Sequence, residues 1–265
     1  MRVFKFGGAS VKDASGVKNV VKVLEEVGHN NTLLVVSAMG KTTNAMEDIV
    51  NAYFKDKSLL TSVVHEVIQY HDHILNDLFS NDKHPVFARV KTLFDEVQGF
   101  LVWNKSPKYG FVYDQVVGYG ELVSTTILSA YLNEIGIPNQ WLDVRSLIKT
   151  NDDYRDAIVN WEKTQKNVTE KVDKRKLNIT QGFLGSDDNN FTTTLGREGS
   201  DYTAAILAYC LNAEEVTIWK DVPGVLNADP RYFEKTELLN KISYREAIEL
   251  AFYGASVIHP KTLQP

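Results

Sequence analysis

An unbroken apolar run at residues 33–36 constrains the fold of this chain more than any other feature of its sequence. Such a run, without polar alternation, is typical of a strand buried on both faces, which is the environment of a parallel sheet. A strand pattern at residues 3–6 precedes it, and apolar residues at helical spacing, ended by Gly28, lie between the two. This opening segment therefore predicts a βαβ unit.

Beyond this unit the sequence alternates between helical and strand-like segments. Apolar stripes at residues 60–78 and 86–101 predict helices, and we expect a mostly helical excursion from the sheet over about residues 43–135. Two roles stay open for the excursion: it covers the active site or a second subunit, or it is a simple packed hairpin. Strand patterns follow at residues 139–142, 177–183, 191–194 and 215–219, and helical patterns at 202–211 and 244–252. The alternation predicts the α/β class with a mostly parallel sheet, in one domain over residues 1–265.

Composition and charge exclude several classes of protein. Lys and Arg number 29 against 34 Asp and Glu, and neither sign is collected into a long block, so we expect no nucleic-acid partner. No apolar run approaches the length of a membrane span, and the charged, glycine-containing amino terminus does not have the pattern of a signal peptide. The single cysteine, Cys210, excludes an internal disulfide framework and suits burial. These features predict a cytoplasmic protein without a membrane partner.

Three glycine-containing junctions follow predicted strands, at residues 5–8, 196–201 and 220–224. Ligands of open α/β sheets bind at the carboxyl ends of the strands. Glycine lets backbone N–H groups approach an anion closely, and a following helix directs its positive end at the same place. Because Lys5, Arg197 and Lys220 accompany these junctions, the sequence predicts a site for phosphate or carboxylate groups there.

Other common sites do not fit the sequence. Gly40-Lys41-Thr42 imitates a Walker A loop, but Val35 stands where that pattern needs its first glycine. The Rossmann glycine pattern is absent, and no serine lies in a nucleophile elbow. His71 and His73 are two residues apart on a predicted helix, which points them to different faces, so we expect packing or surface roles and no metal site.

Six sequence blocks recur in the order of one known family and span essentially the whole chain: residues 5–11, 37–40 with 43–44, 120–121, 195–205, 219–225 and 254–260. With these blocks the chain resembles the aspartate kinases, which have the amino-acid kinase fold. The resemblance implies a three-layer α/β/α sandwich around a mainly parallel sheet. It also implies transfer of the ATP γ-phosphoryl group to the side-chain carboxylate of L-aspartate, giving 4-phospho-L-aspartate for lysine, threonine and methionine synthesis, with Mg²⁺ as cofactor.

The chemistry of this reaction agrees with the residue types present. An aspartate carboxylate, with a reference pKa of about 3.9, is already ionised at neutral pH and needs no general base. It needs cations instead, because the carboxylate must approach a polyphosphate of like charge.

By resemblance, Lys5 is a catalytic residue that contacts the transferring phosphates with Gly7 and Gly8, and Asp201 orients the active-site lysines. Arg197 would bind a substrate carboxylate and Glu121 the α-ammonium group. The remaining substrate-binding positions would be Ser37, Thr43, Glu198, Gly199 and Ser200, and the nucleotide would be held by Lys220, Asp221, Leu226, Arg231, Ser256 and Val257. The structural alternatives are a surface role for Arg197, a helix N-cap role for Ser200 and a helical i,i+4 pairing for Glu121.

Three positions depart from the common pattern of the family: Ala9 replaces a threonine, Leu226 stands where a nucleotide-contacting tyrosine often occurs, and Ser256 replaces a nucleotide-binding lysine. We hypothesise that Lys220 supplies the positive charge missing at Ser256. The alternatives are another amino-acid kinase, such as a glutamate 5-kinase, or a catalytically silent nucleotide- or amino-acid-binding module. Acetylglutamate kinase fits less well, because its substrate has no ammonium group for Glu121.

The resemblance also carries expectations about the rest of the assembly. The family usually continues past His259-Pro260 into paired ACT modules that bind lysine or threonine, whereas this chain stops at Pro265. We therefore expect a catalytic domain without regulatory ACT modules. We also expect a homodimer formed through the helical excursion, with ATP and L-aspartate as small-molecule partners.

Overall fold

A five-stranded parallel sheet forms the centre of the computed structural model, which describes residues 1–253 and 258–265. Its strands are β1 (Arg2–Phe6), β2 (Thr32–Val36), β3 (Asn139–Leu142), β4 (Leu177–Gln181) and β7 (Glu215–Trp219), in the order β3-β4-β2-β1-β7. Every neighbouring pair is parallel. Their carboxyl ends therefore lie along one edge of the sheet, as the buried run at residues 33–36 predicts.

A small antiparallel hairpin stands apart from this sheet. It pairs β5 (Leu184–Ser186) with β6 (Thr192–Thr194). The strand predicted at residues 191–194 is therefore present, but it belongs to the hairpin and not to the central sheet. The strand predicted at 177–183 ends earlier, at Gln181, because Phe183 takes the left-handed conformation with φ of 71°.

Helices cover both faces of the sheet and confirm the three-layer sandwich. They are α1 (Ala14–Val27), α2 (Thr42–Lys55), α3 (Leu60–Leu78), α4 (Pro85–Trp103), α5 (Tyr109–Val117), α6 (Tyr119–Glu134), α7 (Trp161–Lys171), α8 (Gly199–Leu211) and α9 (Tyr244–Phe252). Alternate strand residues serve the two faces: Phe4 and Leu34 pack with α1–α6, whereas Val3 and Leu33 pack with α7 and α8.

The helical excursion consists of α2 to α6 and packs into the larger of the two cores. The predicted stripes at residues 60–78 and 86–101 face this core, except that Leu60 and Leu93 are only half-buried and Phe94 is buried instead. Much of the excursion's apolar surface is therefore covered by its own chain. No helix in the described part of the chain is long and apolar enough to cross a membrane.

The helix that follows the glycine-rich loop begins earlier than its apolar pattern indicates. We predict it from residue 202, whereas α8 begins at Gly199, so Ser200 and Asp201 lie in its first turn. Glu198 occupies the N-cap position in the left-handed conformation, with φ of 53°. The alternative role of Ser200 as the N-cap is therefore wrong. Cys210 packs within α8, and burial raises the pKa of its thiol to about 11, as expected for an unreactive core cysteine.

Candidate active site

A cavity of about 570 Å³ opens at the carboxyl edge of the sheet. Lys5 comes from β1, and Lys220 directly follows β7, the neighbouring strand. Ser37 directly follows β2 on the other side of β1. The predicted residues that line the cavity are Lys5, Ser37, Thr43, Glu121, Arg197, Glu198, Gly199, Ser200, Asp201 and Lys220. Residues that are far apart in the sequence therefore meet in one place, and we call this space the acceptor cavity.

Asp201 bridges two lysines at the floor of the acceptor cavity. Its Oδ1 atom lies 2.6 Å from Lys5 Nζ, and its Oδ2 atom lies 3.3 Å from Lys220 Nζ. The side chains of Lys5 and Asp201 are only 9% and 3% exposed. A buried carboxylate between the two ammonium groups offsets their mutual repulsion and holds them close together. The orienting role that the resemblance gives to Asp201 stays a prediction, and it concerns the two lysines that Asp201 contacts here.

Glu121 lies in the first turn of α6 and is only 2% exposed. The Ala38 backbone N–H donates to its Oε1 atom at 3.3 Å. Its Oε2 atom is buried and has no hydrogen-bond partner among the residues that the structure describes. Burial raises the pKa of the carboxyl group from 4.5 to about 8. The backbone amides of Ala38 and Glu121, the side chain of Thr43 and the positive charge of Lys5 oppose the rise only in part. A cationic ligand group would satisfy both the charge and the unpaired oxygen.

The glycines of the site permit close backbone contacts. A Cβ on Gly8 would lie 2.7 Å from the carbonyl oxygens of Ala38 and Gly40, and one on Gly7 would lie 3.3 Å from Lys5 Nζ. Gly196 has φ of 80°, which glycine adopts without strain. Arg197, the next residue, is exposed and lines the acceptor cavity.

A second cavity of about 570 Å³ adjoins the first. Its walls are largely apolar and include Trp219, Val222, Pro223 and Val225, which suits the flat face of a nucleotide base. Lys220 lines both cavities. We call this second space the nucleotide cavity, after the ligand that the resemblance leads us to expect there, and Lys220 lies at the border between the two cavities.

The predicted nucleotide residues are less well gathered than the acceptor residues. Leu226 forms an isolated β-bridge with Leu238. Arg231 forms a surface ion pair with Asp229 at 2.6 Å. Within the described part of the chain, Gly7, Gly8, Asp221, Leu226 and Arg231 are not among the residues that line either cavity. Ser256 and Val257 lie outside the described residues.

Comparison with known proteins decides the family. The sequence model of the amino acid kinase family matches residues 1–265. The chain belongs to this family. Lysine-sensitive aspartokinase 3 of Escherichia coli is 34% identical over 269 residues, covering 99% of this chain and 58% of that protein. Bifunctional aspartokinase/homoserine dehydrogenase 2 of Arabidopsis thaliana, a chloroplastic protein, is 33% identical over 275 residues, covering 99% of this chain and 29% of that protein.

Solved structures give the same result. The structure of Escherichia coli aspartokinase III in complex with aspartate and ADP superimposes on this amino acid kinase with a TM-score of 0.90 at 32% identity, covering 100% of this chain and 59% of that one. The resemblance to aspartate kinases and the fold that it implies are thus confirmed. The chain spans less than two thirds of the length of these relatives.

The acceptor cavity of this amino acid kinase also contains residues that the sequence analysis misses. Asn44, Tyr113, Arg155 and Phe183 line it alongside the predicted residues. Asn44 belongs to a block that carries the resemblance, so its neighbours could have indicated it. Arg155 lies in a segment without a glycine motif or helical pattern, and nothing in the sequence singles it out.

No group of three His, Cys, Asp or Glu side chains that could hold a metal ion occurs in residues 1–253 and 258–265 of this amino acid kinase. His71 is fully buried in α3, where its Nδ1 atom lies 2.8 Å from the Val67 carbonyl oxygen. Burial lowers the pKa of the His71 imidazole to about 4. This places His71 in a packing role, as its position on the predicted helix indicates.

Proposed function

We propose that this chain transfers the γ-phosphoryl group of ATP to the side-chain carboxylate of L-aspartate, giving 4-phospho-L-aspartate and ADP. A carboxylate oxygen of aspartate attacks the γ-phosphorus, and the bond to the oxygen that bridges the β- and γ-phosphorus atoms breaks. The observation that carries this proposal is the pairing of Lys5 and Lys220 through Asp201, beside the buried carboxyl group of Glu121.

The lysines supply what the reaction needs most. The acceptor carboxylate and the polyphosphate are both anions, so fixed positive groups between them lower the barrier without any general base. Lys5 Nζ and Lys220 Nζ are held by opposite oxygens of one carboxylate. Lys5 lines the acceptor cavity, and Lys220 lines both cavities. In the proposed reaction both ammonium groups face the transferring phosphate.

Glu121 supports an amino acid as the acceptor. Its Oε2 atom lacks a hydrogen-bond partner among the described residues, and an α-ammonium group would donate to it. An acceptor without a free ammonium group would leave the buried carboxyl group unsatisfied, which disfavours N-acylated substrates. Arg197, at the same cavity, suits a carboxylate of the substrate through its planar guanidinium group.

Lys220 is the residue we propose in place of the lysine that is missing at Ser256. Its ammonium group lies 3.3 Å from Asp201 Oδ2 and borders the nucleotide cavity. Replacing Lys220 with alanine is expected to raise the KM for ATP and to lower kcat. An unchanged kcat together with an unchanged KM for ATP would eliminate the hypothesis.

We propose that Mg²⁺ binds together with ATP, as the MgATP complex. The described residues offer no three-residue cluster for a resident ion, and Asp201 is already shared by two lysines. The ion would arrive on the β- and γ-phosphates, because Mg²⁺ is usually held by phosphate oxygens and water with few protein ligands. It would add positive charge beside the phosphates.

We also propose a place in the synthesis of lysine, threonine and methionine, which is what the resemblance to aspartate kinases implies for the proposed product. A cytoplasmic location is also proposed. A homodimer formed through α2 to α6 is also proposed. Size-exclusion chromatography with light scattering tests it, and a monomer at micromolar concentration would argue against it.

The reaction is tested by trapping the acyl phosphate. The protein is incubated with MgATP, hydroxylamine and L-aspartate, L-glutamate or N-acetyl-L-glutamate, and hydroxamate formation is measured. We expect product with L-aspartate. One methylene changes binding by only about 1–3 kcal/mol, so some activity with L-glutamate is compatible with the proposal. Activity with L-glutamate alone would instead support a glutamate 5-kinase, and nucleotide binding without any product would support a silent binding module.

A matched pair of variants links the activity to the site. Replacing Lys5 with methionine removes the buried positive charge but keeps a side chain of similar length. We expect kcat to fall at least about 100-fold. Replacing Lys22 with methionine removes an exposed lysine on α1 and should leave kcat unchanged. Equal activity of the two variants would refute the catalytic role of Lys5.

A further inference from the structure

Arg155 lines the acceptor cavity from the side of the helices. Its guanidinium carbon lies 4.6 Å from the ring centre of Tyr113 and 5.5 Å from that of Tyr109, both on α5. Its Nη2 atom is 3.7 Å from Glu47 Oε1, which is longer than a hydrogen bond, and the side chain is 50% exposed. The tyrosine rings therefore support the guanidinium group while its N–H donors remain available to a ligand in the cavity.

The backbone of Arg155 is anchored more firmly than its side chain. Its φ is 77°, a left-handed conformation that costs free energy in a residue with a side chain. Its N–H donates to both carboxylate oxygens of the buried Asp114, at 3.2 and 3.0 Å. Such an anchor holds the base of the side chain in one place at the wall of the cavity.

The same carboxylate also holds the strand that leads to Arg197. The backbone N–H and the hydroxyl of Thr194 donate to Asp114 at 2.9 and 2.8 Å. Thr194 is the last residue of β6, and Arg197 follows three positions later. In addition, the Ala157 N–H donates to the Thr194 carbonyl oxygen at 2.9 Å. One buried acid thus ties together the two chain segments that carry arginines into the acceptor cavity.

The two carboxylates of a dicarboxylic acceptor need different surroundings in the cavity. The reacting carboxylate must face the lysines at the sheet edge, where the phosphate is transferred. The other carboxylate does not react, and arginine is the residue that best matches its planar, bidentate geometry. Arg155 and Tyr113 belong to the helical wall of the cavity and not to the sheet edge.

We propose that Arg155, together with Arg197, binds the non-reacting α-carboxylate of the acceptor and is thereby a specificity-determining residue. The inference rests on the proposed function. Two guanidinium groups on one carboxylate select an amino acid that keeps a free α-carboxylate.

The test compares L-aspartate with L-isoasparagine, in which the α-carboxylate is an amide. In R155Q we expect the KM for L-aspartate to rise about 10- to 100-fold, which is the range for one charge-assisted hydrogen bond, while the KM for ATP stays constant. The inhibition constant of L-isoasparagine against L-aspartate should change less than about 3-fold, because its amide lacks the charge that Arg155 would bind. R175Q, which changes an exposed arginine paired with Asp173, is the matched control and should behave as the wild type.

Two results would overturn the inference. An unchanged KM for L-aspartate in R155Q would show that the guanidinium group does not contact the substrate. Equal losses for L-aspartate and L-isoasparagine would show that Arg155 acts only on the shape of the cavity. If R155Q does not fold, R155K replaces it in the test, because lysine keeps the positive charge without the bidentate geometry. We expect R155K to raise the KM for L-aspartate by less than the roughly 10- to 100-fold expected for R155Q, and to leave the constants for L-isoasparagine and ATP unchanged.

The same experiment separates this inference from the proposed function. A wild-type protein that forms no hydroxamate with L-aspartate would overturn the proposed function and this assignment with it. A wild-type protein that forms hydroxamate while R155Q keeps its KM would overturn only the assignment of Arg155.

Discussion

The buried carboxyl group of Glu121 should make the stability of the free protein fall as the pH rises. Burial raises its pKa from 4.5 to about 8, so the folded protein keeps a proton there that the unfolded chain has already released. Between these two pH values the folded state binds more protons than the unfolded state. The stabilising contribution is therefore complete below pH 4.5 and is lost as the pH passes through about 8.

The magnitude follows from the size of the pKa difference. A rise from 4.5 to about 8 corresponds to roughly 5 kcal/mol of pH-dependent unfolding free energy, to order of magnitude. In E121Q the amide has nearly the same shape and stays neutral. We expect this variant to be more stable than the wild type by about 3–5 kcal/mol at about pH 9, and to differ from it by less than about 1 kcal/mol at about pH 5.

The assay is urea unfolding of the wild type and E121Q at several pH values, without nucleotide or amino acid. The difference between the two proteins isolates Glu121, because all other titrating groups are common to both. E26Q is the control, since Glu26 is an exposed residue on α1. A stability difference that does not change with pH would refute the reasoning, because it would mean that Glu121 is ionised in the folded protein at neutral pH.

The same carboxyl group links substrate binding to proton release. If an α-ammonium group binds beside Glu121, its charge favours the ionised form, and the proton leaves. Titration calorimetry of L-aspartate at about pH 7 in two buffers of different ionisation enthalpy should then report release of up to about one proton per site. Binding with no proton release, or with proton uptake, would contradict this pairing of Glu121 with the ammonium group.

Three further substitutions have defined outcomes. Because burial lowers the pKa of His71 from 6.5 to about 4, wild-type stability should fall by about 3 kcal/mol relative to H71Q as the pH drops across that interval, measured by urea unfolding. In G182A the new Cβ would lie 2.4 Å from the Cβ of Ser200, so we expect a loss of about 1–3 kcal/mol in unfolding free energy and a raised KM for L-aspartate. D114N loses the negative charge that accepts from the backbone and hydroxyl of Thr194, and its thermal midpoint should fall by the equivalent of about 1–3 kcal/mol. An unfolding midpoint equal to that of the wild type in G182A or in D114N would contradict the contacts described here.

The central strands could be predicted because their patterns are local. An unbroken apolar run at residues 33–36 needs burial on both faces, and its neighbours in the sheet are buried in the same way. The strand order β3-β4-β2-β1-β7 could not be predicted, since it depends on contacts between distant segments. The hairpin of β5 and β6 also escaped prediction as a separate unit, because three-residue strands leave too short a pattern.

Helix α7 is an element that the apolar pattern of the sequence does not reveal. It spans Trp161–Lys171, yet only Thr164 and Val168 are buried in it. A helix with one narrow buried stripe and many charged residues gives little apolar periodicity. Its N-terminus is nevertheless capped by the side chain of Asn160, which accepts from the Lys163 backbone N–H, and such a capping residue is a local feature that sequence reasoning could have used.

From residue patterns alone, the cavity residues were predictable where they belong to glycine junctions, whereas Ser37, Thr43 and Glu121 were indicated only by the resemblance to aspartate kinases. Lys5, Arg197 and Lys220 each accompany a glycine-containing turn at the end of a strand, and the structure brings all three to one cavity. Arg155 reaches the same cavity from an irregular segment that is held by Asp114, and the chain distance between Asp114 and Arg155 hides this contact from any local pattern. Residues that are positioned only by tertiary hydrogen bonds can therefore be identified from the structure but not from sequence patterns.

The sheet topology explains why a lysine at position 220 could replace one lost elsewhere in the chain. β1 and β7 are adjacent and parallel, with Phe6 opposite Trp219, so the residues at their ends must lie side by side. Asp201, in the first turn of α8, then faces both lysines from the same direction. The proposed phosphoryl transfer requires positive charge at this point in space and does not require that it come from a particular segment of the chain. Any cation at the end of β7 satisfies that requirement, which is why the charge of Lys220 should matter more for turnover than the identity of the residue at position 256.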